Sequence, residues 1–128
     1  MKWDQHSVTS ALVLLQTDNN ATFSDAFQFG DPDDTTWTLN GCTFEMDVQR
    51  DPNDVVPLLQ MNTGNGRIIT DDPVQRVIHF NVAAVDIQAN LDPGVYVYDL
   101  IMLDPSLPPV RTALMHGTLT VVQGVSYP

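Results

Sequence analysis

Cys42-Thr43-Phe44-Glu45-Met46-Asp47-Val48-Gln49 alternates apolar and polar side chains without a break. In an extended chain Cys42, Phe44, Met46 and Val48 fall on one side, and Thr43, Glu45, Asp47 and Gln49 on the other. That period of two marks a strand with one buried and one wet face. Such a strand must cover its apolar side, so the rest of the chain is read for what supplies the cover.

Helices do not supply it. Fifteen of the sixteen acidic residues are Asp and the only Glu is Glu45; Asp competes for backbone hydrogen bonds at turns and caps, whereas Glu suits helix interiors. Five prolines follow Asp, in Asp31-Pro32, Asp51-Pro52, Asp72-Pro73, Asp92-Pro93 and Asp104-Pro105, and each pushes its predecessor out of the helical region. Between these pairs lie segments rich in Val, Thr, Ile, Phe and Tyr, which are strand formers. Expected strands run over 8–16, 25–29, 42–49, 56–61, 67–70, 76–82, 95–103, 111–116 and 118–123. Thr63-Gly64-Asn65-Gly66 reads as a two-residue hairpin turn. One short helical segment is expected at Ala83 to Ala89, closed by Asn90 and Asp92-Pro93-Gly94. The cover must then be a second sheet. The expectation is an all-β fold, an antiparallel two-sheet sandwich filling a single domain over 1–128, with residues 1–22 either an N-terminal arm or the first strand.

Composition narrows the function. Five basic residues against sixteen acidic ones give a net charge of −11, which repels nucleic acid and anionic membranes. Hydrophobic residues make up 43% of 128, enough for a core. Cys42 stands alone, so neither an internal disulfide nor a Cys-rich metal site is available. The N-terminus lacks the pattern of a secretory signal, and Asn20-Ala21-Thr22, a glycosylation sequon, matters only in that pathway.

Catalytic and ligand chemistry find little support. No Gly-x-Ser-x-Gly elbow presents a nucleophile. His6, His79 and His116 are far apart and lack metal-ligand spacing. Gly64-Asn65-Gly66 lacks the remainder of a phosphate loop. Asp31-Pro32-Asp33-Asp34 gathers three carboxylates that suit either a calcium ion or a solvated turn. No catalytic, cofactor or metal residues are assigned. Trp3 and Trp37 flank the region of thinnest strand assignment, where a ring serves either an interface or the core. The candidate partner-binding residues are Trp3, Val8, Leu12 and Trp37.

Asp92-Pro93-Gly94-Val95-Tyr96-Val97-Tyr98 resembles the tyrosine corner that opens strand F of immunoglobulin-like domains. Tyr96 is then expected to bury its ring and return its hydroxyl to upstream backbone. A wider set of segments carries a second resemblance: Phe27-Gln28-Phe29-Gly30-Asp31, Trp37-Thr38-Leu39-Asn40-Gly41-Cys42-Thr43-Phe44, Thr63-Gly64-Asn65-Gly66-Arg67-Ile68, Leu91 to Leu100, and Gly117-Thr118-Leu119-Thr120-Val121-Val122. In this order they resemble small β-sandwich domains of tailed bacteriophages, including N-terminal domains of upper-baseplate and tail-fibre attachment proteins. That resemblance implies a non-enzymatic virion protein without cofactors, assembled in the host cytoplasm and present in many copies or as a homo-oligomer. Its partners would be other virion proteins. With no heptad segment after the last strand, an adaptor, baseplate component or capsid decoration is expected rather than a long fibre. The alternative is a sugar-binding or adhesion module, with calcium at Asp31 to Asp34 and an exposed Trp37 as its ligand chemistry. A small hydrolase is the least supported reading, requiring a buried carboxylate or Ser-His constellation.

Overall fold

The computed structural model describes residues 10–106 and 108–124. Its elements are β1 (Ala11–Leu12), β2 (Leu15–Asp18), β3 (Ala26–Gln28), β4 (Thr43–Gln49), β5 (Leu59–Asn62), β6 (Ile68–Asp72), β7 (Val77–Phe80), α1 (Ala84–Asn90), β8 (Gly94–Asp104) and β9 (Val110–Val122). The larger sheet runs β1-β9-β8-β4-β5, with β2 also on β9, and the smaller runs β3-β7-β6. The fold is all-β, two sheets around one apolar cluster, as expected. β4 has the pattern its sequence dictates: Phe44, Met46 and Val48 are buried and the residues between them are not. The small sheet answers with Ile68, Ile78 and Phe80, and the Phe80 ring lies 5.2 Å from those of both Phe23 and Phe27.

Three expectations are corrected. The first strand is not antiparallel. Ala11–Leu12 and Leu15–Asp18 are two pieces of one edge strand running parallel to β9 in a single register, Ala11 opposite Met115 and Leu15 opposite Leu119. The segments expected at 111–116 and 118–123 are one strand. Gly117 does not end β9. A Cβ there would lie 2.4 Å from the Val13 carbonyl oxygen, so glycine is what lets the edge strand approach. A bulge beside Leu100 and Ile101 further turns Leu114 and Met115 inward together.

Thr63 to Gly66 is a tight turn, but not of a hairpin, because β5 and β6 belong to different sheets. Asn65 holds the crossing. Its Oδ1 accepts from the Asn62 and Arg67 amides, and its Nδ2 donates to the Gln60 carbonyl, which also accepts from Arg67 Nη1. These bonds occupy backbone groups of β5 at the rim of the large sheet, where an unpaired edge would invite another strand.

Helix α1 is near its expected place and buries Ile87. Downstream, Tyr96 is fully buried and its hydroxyl donates to the Asp92 carbonyl at 2.5 Å, completing the expected corner. Tyr98 performs a second anchorage, donating to the Val13 carbonyl at 2.7 Å and pinning the edge strand over Gly117. Asn19 is buried at the far end of that strand. Its Oδ1 accepts from the Gly124 amide, and its carbonyl accepts from Gln88 Nε2 on α1.

Candidate functional site

Register places the outward side chains of the large sheet in rows. Ile101 stands between Glu45 and Ala113, Asp99 between Asp47 and His116, and Val97 between Gln49 and Thr118. A sheet face turned to water ordinarily carries polar side chains. Central strand β8 departs from this: of its outward residues Val95, Val97, Asp99, Ile101 and Leu103, all but Asp99 are apolar, and Val95 is 59% exposed. The acids lie alongside. Arg111 on β9 reaches across to Glu45 at 2.7 Å, partly covering the column.

A concavity of about 420 Å³ opens on this face among Asp47, Asp99, Val97, His116 and Gly117, with Pro52 at its rim. Burial first, then the neighbouring charges of Glu45 and Asp99, raises the pKa of Asp47 above the usual carboxylate range. His116 Nδ1 lies 2.7 Å from Ser10 Oγ. A triad would need a carboxylate on the imidazole; among the described residues no hydrogen bond joins Asp47 or Asp99 to His116. No group of three His, Cys, Asp or Glu side chains among the described residues is arranged to hold a metal ion.

The second feature is the loop between β3 and β4, organised by a residue that sequence reasoning passed over. Arg76 is fully buried and sits at φ +61° at the close of the β6–β7 turn. Its guanidinium donates to five carbonyls: Nε to Phe29, Nη1 to Asp34, Trp37 and Val74, and Nη2 to Asp31. It also lies 5.0 Å from the centroid of the Trp37 ring. Only arginine has five donors in a planar fork. The cation at the middle of this acidic loop is therefore the chain's own. The carboxylates serve the turn itself, Asp31 accepting from the Asp33 amide and Asp34 from the Thr36 amide and hydroxyl.

This arrangement decides the candidate residues. Trp37, proposed for an interface, is 6% exposed and packs on Arg76, so it belongs to the core. The calcium-assisted sugar site thus loses its exposed ring, and two of its three carboxylates, Asp31 and Asp34, are engaged in the turn. Leu12 is 69% exposed on the edge strand beside Leu14 at 74%. Trp3 and Val8 lie outside the described residues. Of the two described candidates, one is exposed at the sheet edge and the other is buried under the loop.

The loop carried by Arg76 meets the β8–β9 connection, where Pro105 Cγ approaches Gly41. Between them is a polar cleft of about 350 Å³ lined by Thr35, Thr36, Thr38, Asn40, Asp104 and Ser106. Cys42 is buried beneath this end, its thiol pKa pushed up to about 11 by burial and then by Asp104. In comparison with known proteins, no family model matches the chain and no curated protein sequence matches it.

Proposed function

We propose that this chain is a non-enzymatic structural domain of a tailed-bacteriophage particle, an immunoglobulin-like sandwich that works by presenting a shaped surface to other virion proteins. Strand order supports the fold reading: β3, β7 and β6 correspond to strands B, E and D, and β4, β8 and β9 to C, F and G, with the tyrosine corner at the start of F. The observation that carries the functional reading is the outer face of the large sheet. Its apolar column on β8 runs beside Glu45, Asp47 and Asp99, which favours a partner with an apolar centre and a Lys/Arg rim. A specific contact needs about 800 Å² from each side, a scale suited to one sheet face.

The test is incorporation. Particles purified from the host that carries this gene should contain the chain by mass spectrometry. An Ile101→Asp variant, whose side chain points away from the core, should keep its melting transition and be lost from particles. Absence of the wild-type chain from purified particles overturns the virion assignment. Normal incorporation of the variant moves the contact to another surface.

A further inference from the structure

We propose that Asn40 is a site of spontaneous deamidation, selected by the fold over the chain's other Asn-Gly pair, and that the reaction rewrites the charge of the loop cleft. The sequence contains two such pairs, Asn40-Gly41 and Asn65-Gly66. In each, the glycine amide nitrogen is sterically free to attack the asparagine Cγ. A C–N bond forms, the side-chain nitrogen departs as ammonia, the glycine amide proton passes to solvent, and a five-membered succinimide remains. Water then opens the ring at either carbonyl, leaving Asp or isoaspartate. The reaction needs no oxidant or cofactor. It does need a side chain free to turn onto the next backbone nitrogen, and that nitrogen free of other duties.

The two pairs differ on both requirements. Asn65 is tied at both side-chain atoms, Oδ1 to the Asn62 and Arg67 amides and Nδ2 to the Gln60 carbonyl, while Gly66 donates its amide to the Thr63 carbonyl at 3.3 Å. Attack at this site requires breaking the whole arrangement that closes the β5 edge. Asn40 is exposed, and among the described residues its side-chain amide makes no hydrogen bond, its own backbone N–H being taken by Thr38 Oγ1. The Gly41 amide also makes none. Gly41 sits at φ +76°, and among the described residues the one atom within 4 Å of where its Cβ would be is Pro105 Cγ, at 3.8 Å, so the flank of the attacking nitrogen is open. Sequence makes the two pairs chemically alike; tertiary structure protects one and leaves the other reactive.

Asn40 lines the polar cleft with Asp104 and Ser106. Conversion there exchanges a neutral amide for a second carboxylate, and the isoaspartate product also lengthens the backbone of the loop that Arg76 holds. The cleft of an aged molecule is thus more acidic than that of a new one, whatever the particle or partner it serves.

The experiment incubates the purified chain at mildly alkaline pH, with and without denaturant, and follows both sites by peptide mapping with isoaspartate detection. In the folded protein, Asn40 should convert at least about tenfold faster than Asn65, since several hydrogen bonds must open together at the latter. In denaturant the two should convert at similar rates. An Asn40→Asp variant should yield no early product in the folded state. Equal rates in the folded protein, or faster conversion at Asn65, overturn the proposal.

Discussion

A buried guanidinium donating to five main-chain carbonyls holds the Arg76 side chain in one place. It converts a loop bearing Asp31, Asp33 and Asp34 into a fixed element, because each carbonyl it binds would otherwise be left short of a donor near the core. Arg76→Lys keeps the charge but provides one nitrogen on a flexible stem in place of the planar fork. It is expected to cost on the order of 2–4 kcal/mol, as several buried carbonyls lose their donors. Urea denaturation checks this, and a loss under about 0.5 kcal/mol, within the range of ordinary surface substitutions, would contradict the assignment. Cys42 offers a milder probe of the same end of the sandwich. With its pKa at about 11, the thiol is protonated at neutral pH, so native protein should resist alkylation until it unfolds.

At the level of elements, the edge strand is the part whose placement depends most on a single position. β1 and β2 join the sheet only because Gly117 leaves room for the Val13 carbonyl, which the Tyr98 hydroxyl then holds. The same burial that seats this phenol raises its pKa to about 12, so the bond keeps its donor across the physiological range. Gly117→Ala is expected to displace Val13 and release 11–18 from β9, leaving β4 and β8 paired. Hydrogen exchange should show protection lost in that segment and retained at Met46 and Leu100. Unchanged protection of 15–18 would refute the argument. The opposite edge is closed by different means, the side chains of Asn65 and Arg67 occupying the place of a neighbouring strand beside Gln60.

For the whole molecule, charge is the dominant theme. With a net −11, the folded chain concentrates carboxylates that the unfolded chain spreads apart, and at Asp47 burial first, then the nearby charges of Glu45 and Asp99, raises the pKa. An acid whose pKa is higher in the folded than in the unfolded state binds more protons when folded. It therefore opposes folding increasingly as pH rises above the usual carboxylate value. Asp47→Asn should accordingly raise stability at neutral pH, and the gain should shrink to nothing below pH 3.8, its ordinary value. Thermal melts of both proteins between acidic and neutral pH test the sign. A variant less stable at neutral pH would show that Asp47 makes a favourable contact outweighing its burial.

Strand content, the short helix α1 and the corner at Tyr96 were legible in the sequence, because alternation, Asp-Pro punctuation and a tyrosine after Pro-Gly act through neighbours along the chain. The direction of the edge strand, the continuity of β9 through Gly117 and the crossing at Asn65 were not, since each depends on a segment distant in sequence. The same division runs through the candidate site. That β8 is apolar at both its odd and even positions could be read from Val95 to Leu103, but which side faces water requires a register. Trp37 and the acidic loop were visible as unusual residues, yet their role was decided by Arg76, whose identity signals nothing until folding brings Phe29, Asp31, Asp34 and Trp37 around it. Local periodicity determines which residues can form elements; only packing between distant segments decides what each buried donor or acceptor is given as a partner.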